Sequence, residues 1–240
     1  MSAAFTACAV SIVIPTLNEA ENIEPLVTQI AAAYPTCAEI LFVDDGSTDG
    51  TRERVRELQS RYPLRLLARD QPTLGLAGAV IAGARAASGE FLVVMDADLS
   101  HPPAEIPSLL TPLVNGDADM VIGSRYVAGA TTPGWPAYRK IMSRIAAGAA
   151  YPLTGVHDSM CGFFAIRRAR LLELAPAATG FKIAFEAIAR GGRALRVLEV
   201  PIAFRDRARG KSKMNFGVAV LFSMRWMAAV ARRVVGSRAN

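Results

Sequence analysis

The sequence predicts an α/β fold, a mostly parallel sheet flanked by helices, and three observations predict it. Short apolar runs rich in β-branched residues alternate with stretches of helical period, as βαβ units do. Those apolar runs are continuous rather than alternating, which marks strands covered on both faces. Three of them end in polar, acid-rich turns, and in an open α/β sheet ligands bind beyond the carboxyl ends of the strands.

The elements follow in order. A first strand is expected over residues 10–14, because "VSIVI" is apolar and no basic stretch precedes it, which argues against a signal peptide. "PTLNE" ends it, and a helix is expected over 19–33. The second strand, 39–43, ends in "DDGSTDGT", a turn sequence that leads into a helix over 48–61. A third strand (64–68) and helix (74–87) follow. A fourth strand over 90–95 runs into "VVMDADLSHPP", then a helix over 104–115 and a strand over 120–123. Beyond Arg125 the pattern changes. "GATTPGWP" is a loop; 139–150 and 181–190 have helical period; 161–166 and 195–204 look extended. These later elements complete a site rather than form an independent domain.

A chain of 240 residues is long enough for one such domain with a sizeable core. With 52% hydrophobic and 20% charged residues it is globular rather than disordered. The net charge is +6, unevenly spread: residues 205–240 hold nine basic residues and one acid, a local +8, against 18 basic and 20 acidic residues elsewhere, −2. That asymmetry points to an anionic partner, a nucleotide phosphate or a lipid headgroup. No nucleic-acid-binding motif accompanies it, so nucleic acid is not expected as a partner. Three cysteines (Cys8, Cys37, Cys161) without a CxxC pair exclude a disulfide framework and a zinc site, and fit a reducing cytoplasm.

The turn after the first strand has no GxGxxG, and no GxxxxGK[ST] occurs, so a glycine-rich turn does not hold the phosphates. Asp96 and Asp98 suggest what does. If the strand ran through them, both carboxylates would point to one side and repel. A divalent cation resolves this: Mg²⁺ or Mn²⁺ takes one or two protein carboxylates and completes its shell with substrate phosphate oxygens and water. The bland alternative is a solvated turn with capping acids.

"VSIVIPTLNEAENI", "LFVDDGSTDGT", "LGLAGAVIAGARAASGEFLVVMDADLSHPP", "VIGSRY", "DSMCGFFAIRR", "GFKIAFEAIARGG" and "EVPIAFRDRARGKSKM" occur in this order. Together they resemble a family 2 glycosyltransferase of the Rossmann-like GT-A fold, most closely the dolichol- or polyprenyl-phosphate mannosyltransferases. The resemblance spans residues 10–214. It implies a single catalytic domain, residues 1–213, and an inverting transfer of mannose from GDP-mannose to a polyprenyl monophosphate.

The resemblance also implies roles. Pro15, Thr16, Asn18 and Glu19 would wall the base and ribose, although Pro15 could simply end the strand and Asn18 cap the following helix. Asp45 would contact the nucleoside, with Asp44 serving the fold, and Gly75 would open a helix close to the sugar nucleotide. Asp96 and Asp98 would hold the metal, with His101 as a third ligand or an orienting group. Arg125 would meet the diphosphate or the acceptor phosphate, unless it only makes an ordinary ion pair. The late basic loop, above all Arg205, Ser212 and Lys213, would close over the diphosphate and recognise the acceptor. Cys161 stands where the family usually has serine, and a packing role is expected for it. Glu186 is a weaker candidate near the acceptor.

Residues 214–240 are apolar with Arg225, Arg232 and Arg233, which suggests an amphipathic helix in a membrane interface rather than a spanning one. The expectation is a chain peripheral on the cytoplasmic face of a membrane, with or without a membrane partner subunit. Two alternatives stay open. The same fold could use UDP-glucose or another sugar nucleotide, or a saccharide acceptor; or the chain could be a non-catalytic binding module for a nucleotide sugar or an anionic lipid.

Overall fold

The structure, a computed structural model, describes residues 10–36, 39–176 and 182–206. Seven strands form one sheet: β1 (Val10–Thr16), β2 (Glu39–Asp44), β3 (Leu64–Ala68), β4 (Phe91–Val94), β5 (Met120–Ser124), β6 (Phe164–Arg167) and β7 (Val197–Pro201). The helices are α1 (Ala20–Ala33), α2 (Thr51–Leu58), α3 (Gly75–Ala86), α4 (Ile106–Val114), α5 (Ala137–Thr154), α6 (Arg168–Leu174) and α7 (Ile183–Gly191). All five strands expected in the first half are present, with ends shifted by up to two residues. α6 was not expected, because seven residues offer too few turns for a helical period to show.

The sheet order is β3-β2-β1-β4-β6-β5-β7. The central strands β1, β2, β4 and β5 are buried throughout apart from Pro15, while the edge strands β3 and β7 are half exposed. This difference in cover is why the central runs read as continuously apolar. β1 continues through Pro15 to Thr16 instead of stopping at the proline. The ladder between β1 and β4 ends at Val13 and Val94. Pro15 is therefore two residues past it on the same side, where a missing N–H costs no sheet bond. Gly83 on α3 lets that helix lie against the sheet: a Cβ there would sit 2.5 Å from Val13 Cγ1.

From β1 the chain winds one way to β2 and β3, then crosses to place β4 on the other side of β1. The boundary between β1 and β4 is thus the topological switch point, where a crevice opens at the carboxyl ends. β6 runs antiparallel between β4 and β5. Its amino end therefore meets the carboxyl end of β4, with Phe164 opposite Val94, and delivers residues 158–163 to that edge. β7 is parallel to β5, with Pro201 opposite Ser124, so the segment after it arrives there as well.

The opposite edge is tied by Glu39, which is 3% exposed. Its carboxylate accepts hydrogen bonds from Ser11 Oγ (2.7 Å), from Ser88 N–H (2.6 Å) and Oγ (2.8 Å), and from Arg65. Burial pushes its pKa up, but these bonds to the charged form outweigh that and hold it below the ordinary 4.5. A depressed carboxylate contributes stability that is complete above the unfolded pKa and disappears as pH falls through the folded one. Glu39→Gln is expected to cost about 2 kcal/mol at pH 7. It should also flatten the loss of stability below pH 4.5, as measured by urea unfolding across pH.

Candidate active site

The loops after β1 and β2 are stitched to each other. Asn18 has a left-handed φ of 53°. Its N–H donates to Ser47 Oγ (2.8 Å) and its Oδ1 accepts from Thr48 N–H (2.8 Å). The first amides of α1 are capped across the chain, Glu19 N–H by Thr51 Oγ1 (2.9 Å) and Ala20 N–H by Asp49 (3.0 Å). Asn18 is therefore a loop tie and not the cap of α1. Thr16 is buried, and its hydroxyl donates to the Val43 carbonyl (3.2 Å). Glu19 accepts from Asn22 Nδ2 (2.7 Å).

Asp44 is fully buried and serves the fold. It accepts from the amides of Gly46 and Ser47 (both 3.1 Å), from the Ser47 hydroxyl and from Arg52. Burial opposes its charge, but these donors win and hold its pKa low. Asp45 points elsewhere, into an ion pair with Arg69 (2.9 Å). Burial first, and then the neighbouring Asp44, push its pKa up against the pull of Arg69. Arg69 also donates to the Thr73 carbonyl (2.6 Å), so it ties the end of β2 to the turn that opens α3. In that turn Leu74 and Gly75 have φ of 68° and 58°. A Cβ on Gly78 would lie 2.1 Å from the Thr73 carbonyl oxygen, so no other residue fits there. The small residues of "LGLAG" thus answer first to a tight entry into α3.

Asp96 and Asp98 lie beyond β4, which stops at Val94, in a turn where Leu99 has φ 63°. The expectation of two carboxylates on one side of a strand is corrected: the turn separates their environments. Asp98 is 5% exposed and accepts from Ser100 N–H (3.1 Å). The Asp96 side chain is 39% exposed. His101 is buried, stacked on Phe163 (5.2 Å between ring centroids) and edge-on to Phe204 (5.5 Å). Its Nδ1 accepts from Asp96 N–H (2.9 Å) and its Nε2 lies 3.8 Å from Asp96 Oδ2. Burial pushes the imidazole pKa down, so the ring is neutral with its proton on Nε2. His101 orients Asp96, because the lone pair a metal would need already holds an amide.

Gly162 faces this pair from the segment just before β6. A Cβ there would come within 3.3 Å of His101 Cε1 and 3.4 Å of an Asp96 carboxylate oxygen. Its absence leaves the Asp96 oxygens open. Among the described residues no group of three or more His, Cys, Asp and Glu side chains could hold a metal. An accessible carboxylate beside a second acid suits a hard cation shared with a phosphate ligand, not a closed protein cage. In that sense the residues fit Mg²⁺ or Mn²⁺.

Arg125 follows β5. Its Nε and Nη2 each donate at 2.7 Å to Asp158, which is fully buried and also accepts the Arg125 amide (2.9 Å). Asp158 in turn donates its N–H to Glu199 (2.9 Å) on β7. The guanidinium packs over Tyr126 and Phe204 (both 5.3 Å) and Trp135 (5.7 Å). Burial disfavours its charge, and Asp158 restores it. Arg139 lies 4.1 Å over the same Trp135 ring and pairs with Asp206. The sequence reading missed this stack of cations and rings. A "GWP" loop followed four residues after its Trp by Arg was the available signal.

Arg205 is exposed, and its N–H donates to the Ser100 carbonyl (3.2 Å), which brings the start of the basic segment to the Asp96–Asp98 turn. Ser212 and Lys213, and the helix expected over 214–240, lie outside the described residues, as do Cys8 and Cys37. Cys161 is buried and its thiol pKa is pushed up by burial to about 12, so it is a packing residue. Glu186, on α7, lies 3.5 Å from Arg190. Lys182 was also missed: its Nζ donates to the Met160 carbonyl (3.0 Å), and burial, then Arg125, lower its pKa.

Residues 11–174 match the family model described as glycosyl transferase family 2. The chain is 44% identical over 213 residues to a dolichol-phosphate mannosyltransferase of Pyrococcus furiosus, covering 86% of this chain and 59% of that protein. It thus spans less than two thirds of that relative's length. It is 37% identical over 225 residues to the dolichol-phosphate mannosyltransferase of Saccharomyces cerevisiae, covering 88% and 83%. It is 38% identical over 217 residues to the polyprenol monophosphomannose synthase of Mycolicibacterium smegmatis, covering 85% and 80%. Among solved structures, glucosyl-3-phosphoglycerate synthase of Mycobacterium tuberculosis superposes with a TM-score of 0.72 at 23% identity, over 96% of this chain and 82% of that one. A complex of that enzyme with Mn²⁺, UDP-glucose and glycerol 3-phosphate gives 0.68. This second likeness is one of fold.

Proposed function

This chain belongs to glycosyl transferase family 2, and on that premise we propose that it transfers mannose from GDP-mannose to a dolichyl or polyprenyl monophosphate, with inversion at the anomeric carbon. The observation that carries the proposal is a convergence at the switch point: the Asp96–Asp98 turn, the Arg125–Asp158 pair and the start of the basic segment meet at one sheet edge. The names of the relatives at 37–44% identity support mannose and a lipid phosphate.

Asp96 and Asp98 would hold a Mg²⁺ or Mn²⁺ ion, which when bound supplies positive charge to a departing diphosphate. His101 keeps Asp96 in place through its amide, and Gly162 keeps the space in front of it clear. An alcohol acceptor would need a general base, but a phosphate monoester does not, since its second pKa is about 6. The task left to the protein is to let two anions approach. Arg125 is held charged for it by Asp158, and Arg205, Ser212 and Lys213 would meet the acceptor phosphate. Pro15, Thr16, Asn18, Glu19, Asp45 and Gly75 would border the nucleoside through backbone and loop shape, given that the Thr16 hydroxyl and the Asn18 carboxamide are engaged in the fold.

The test is a transfer assay with labelled GDP-mannose or UDP-glucose, a polyprenyl phosphate, and Mg²⁺, Mn²⁺ or EDTA, counting label in the organic phase. Label should require GDP-mannose, the lipid and a metal. Label from UDP-glucose alone would replace the donor, a reading to which the UDP-glucose complex of the structural neighbour lends some support. No label from either donor in detergent would leave a binding module.

A further inference from the structure

Glu199 sits in the middle of β7, opposite Ile122 on β5, with only 10% of its side chain exposed. A carboxylate so withdrawn from water needs donors. It takes them all from one short stretch of chain. Oε1 accepts the N–H of Asp158 (2.9 Å), and Oε2 accepts the N–H of His157 (2.8 Å) and lies 2.8 Å from His157 Nδ1. The two oxygens thus grip two successive amides, and the exposed His157 ring adds a third bond. Bonds to an ionised acceptor are roughly twice as strong as neutral ones, so the grip is firm.

What these amides carry is the partner of Arg125. Among the described residues, the buried Asp158 carboxylate accepts only from Arg125, through its N–H, Nε and Nη2. Those bonds use one edge of the guanidinium. Nη1 has no hydrogen-bond partner among the described residues, so it is the nitrogen left to meet an anion. The guanidinium is planar and rigid, so the direction of Nη1 follows from where Asp158 holds the other edge. Where Asp158 stands follows in turn from Glu199. The other ties of this turn lie on the carbonyl side of Asp158: Cys161 N–H donates to the Asp158 carbonyl (3.1 Å), and Lys182 Nζ to the Met160 carbonyl (3.0 Å).

We propose that Glu199 is a positioning residue: by clamping the amides of His157 and Asp158 it sets the Asp158 carboxylate, and through it the direction in which Arg125 presents Nη1. It touches no reacting group itself. Its effect on the rate rests on the mannosyl transfer proposed for this chain, whereas its effect on Arg125 does not.

The experiment reads Arg125 first and then the reaction. In the whole chain without donor or acceptor, the Arg125 Nε–H signal in a nitrogen–proton correlation spectrum, assigned by its loss in Arg125→Lys, reports how firmly Asp158 holds the guanidinium. Glu199→Gln keeps the size of the side chain, but it has one acceptor oxygen where two are used and sets its NH₂ against an amide N–H. It should speed exchange of the Arg125 Nε–H by about tenfold beyond any change in the backbone amides of β1. It should also lower kcat for transfer by about tenfold with KM for the donor nearly unchanged. His157→Ala, which keeps both amides, should leave exchange and kcat within about twofold of wild type. Exchange that rises equally in β1 would mean a general loss of stability and overturns the proposal. Unchanged exchange, faster exchange with kcat untouched, or a His157→Ala variant that matches Glu199→Gln overturns it too. If the wild type transfers no sugar, the mannosyl reading fails, and the exchange measurement still decides whether Glu199 positions Arg125.

Discussion

Asp98→Asn is expected to lower kcat for mannosyl transfer by about 10³-fold while leaving the fold intact. The substitution keeps the volume of a side chain that is 5% exposed, and an asparagine Oδ1 can still accept the Ser100 amide. What it removes is one negative charge from the turn. If Asp98 helps hold a divalent cation against the departing diphosphate, a 10³-fold loss corresponds to ~4 kcal/mol of lost transition-state stabilisation. The measurement is kcat as a function of Mn²⁺ concentration, beside a thermal melt. The melt should be unchanged, and the metal requirement should move to higher concentration or vanish with the activity. Full metal-dependent turnover by Asp98→Asn would remove this carboxylate from the site.

That prediction depends on the surroundings of two acids, and those were only partly legible in the sequence. The parallel half of the sheet could be read because each buried strand is a continuous apolar run between helices of clear period. The pair of acids could be read because "FLVVM" stops at them and the neighbouring motifs weigh against a merely solvated turn. The orientation of β6 could not. "FFAI" is apolar whichever way it runs, and only the sheet register shows that it is antiparallel and delivers Gly162 and Asp158 to the edge of β4. His101 was legible as a third ligand or an orienting group for the acids, but not which of the two, since that turns on which ring nitrogen receives an amide. Asn18 misled for a similar reason: an Asn before a helix is an ordinary cap by sequence, and here the cap comes from Asp49 and Thr51, some thirty residues later.

Arg125 shows the same limit, and the largest expected effect on stability follows from it. The resemblance implied a phosphate contact for Arg125, with an ordinary ion pair as the alternative, and the fold gives it a carboxylate partner 33 residues away that the sequence did not name. Its side chain is 13% exposed and that of Asp158 is 0%. Removing one member of such a pair strands the other. Asp158→Ala would leave a guanidinium among Tyr126, Trp135 and Phe204 without its carboxylate, and is expected to destabilise the domain by about 3–5 kcal/mol. At ~2–4 °C per kcal/mol for a domain of this size, the melting temperature should fall by roughly 6–20 °C. Removing both charges is a different perturbation, because well-packed apolar side chains often replace a buried ion pair without loss. Arg125→Met/Asp158→Leu should therefore recover most of that melting temperature. If Arg125 also steadies phosphate charge during transfer, the double variant will be stable and inactive. If the pair serves only to join β5, β6 and β7, activity will return with stability. Melting temperature and kcat measured on the same two proteins separate these cases, since only a role in the reaction can keep kcat low once the fold is restored.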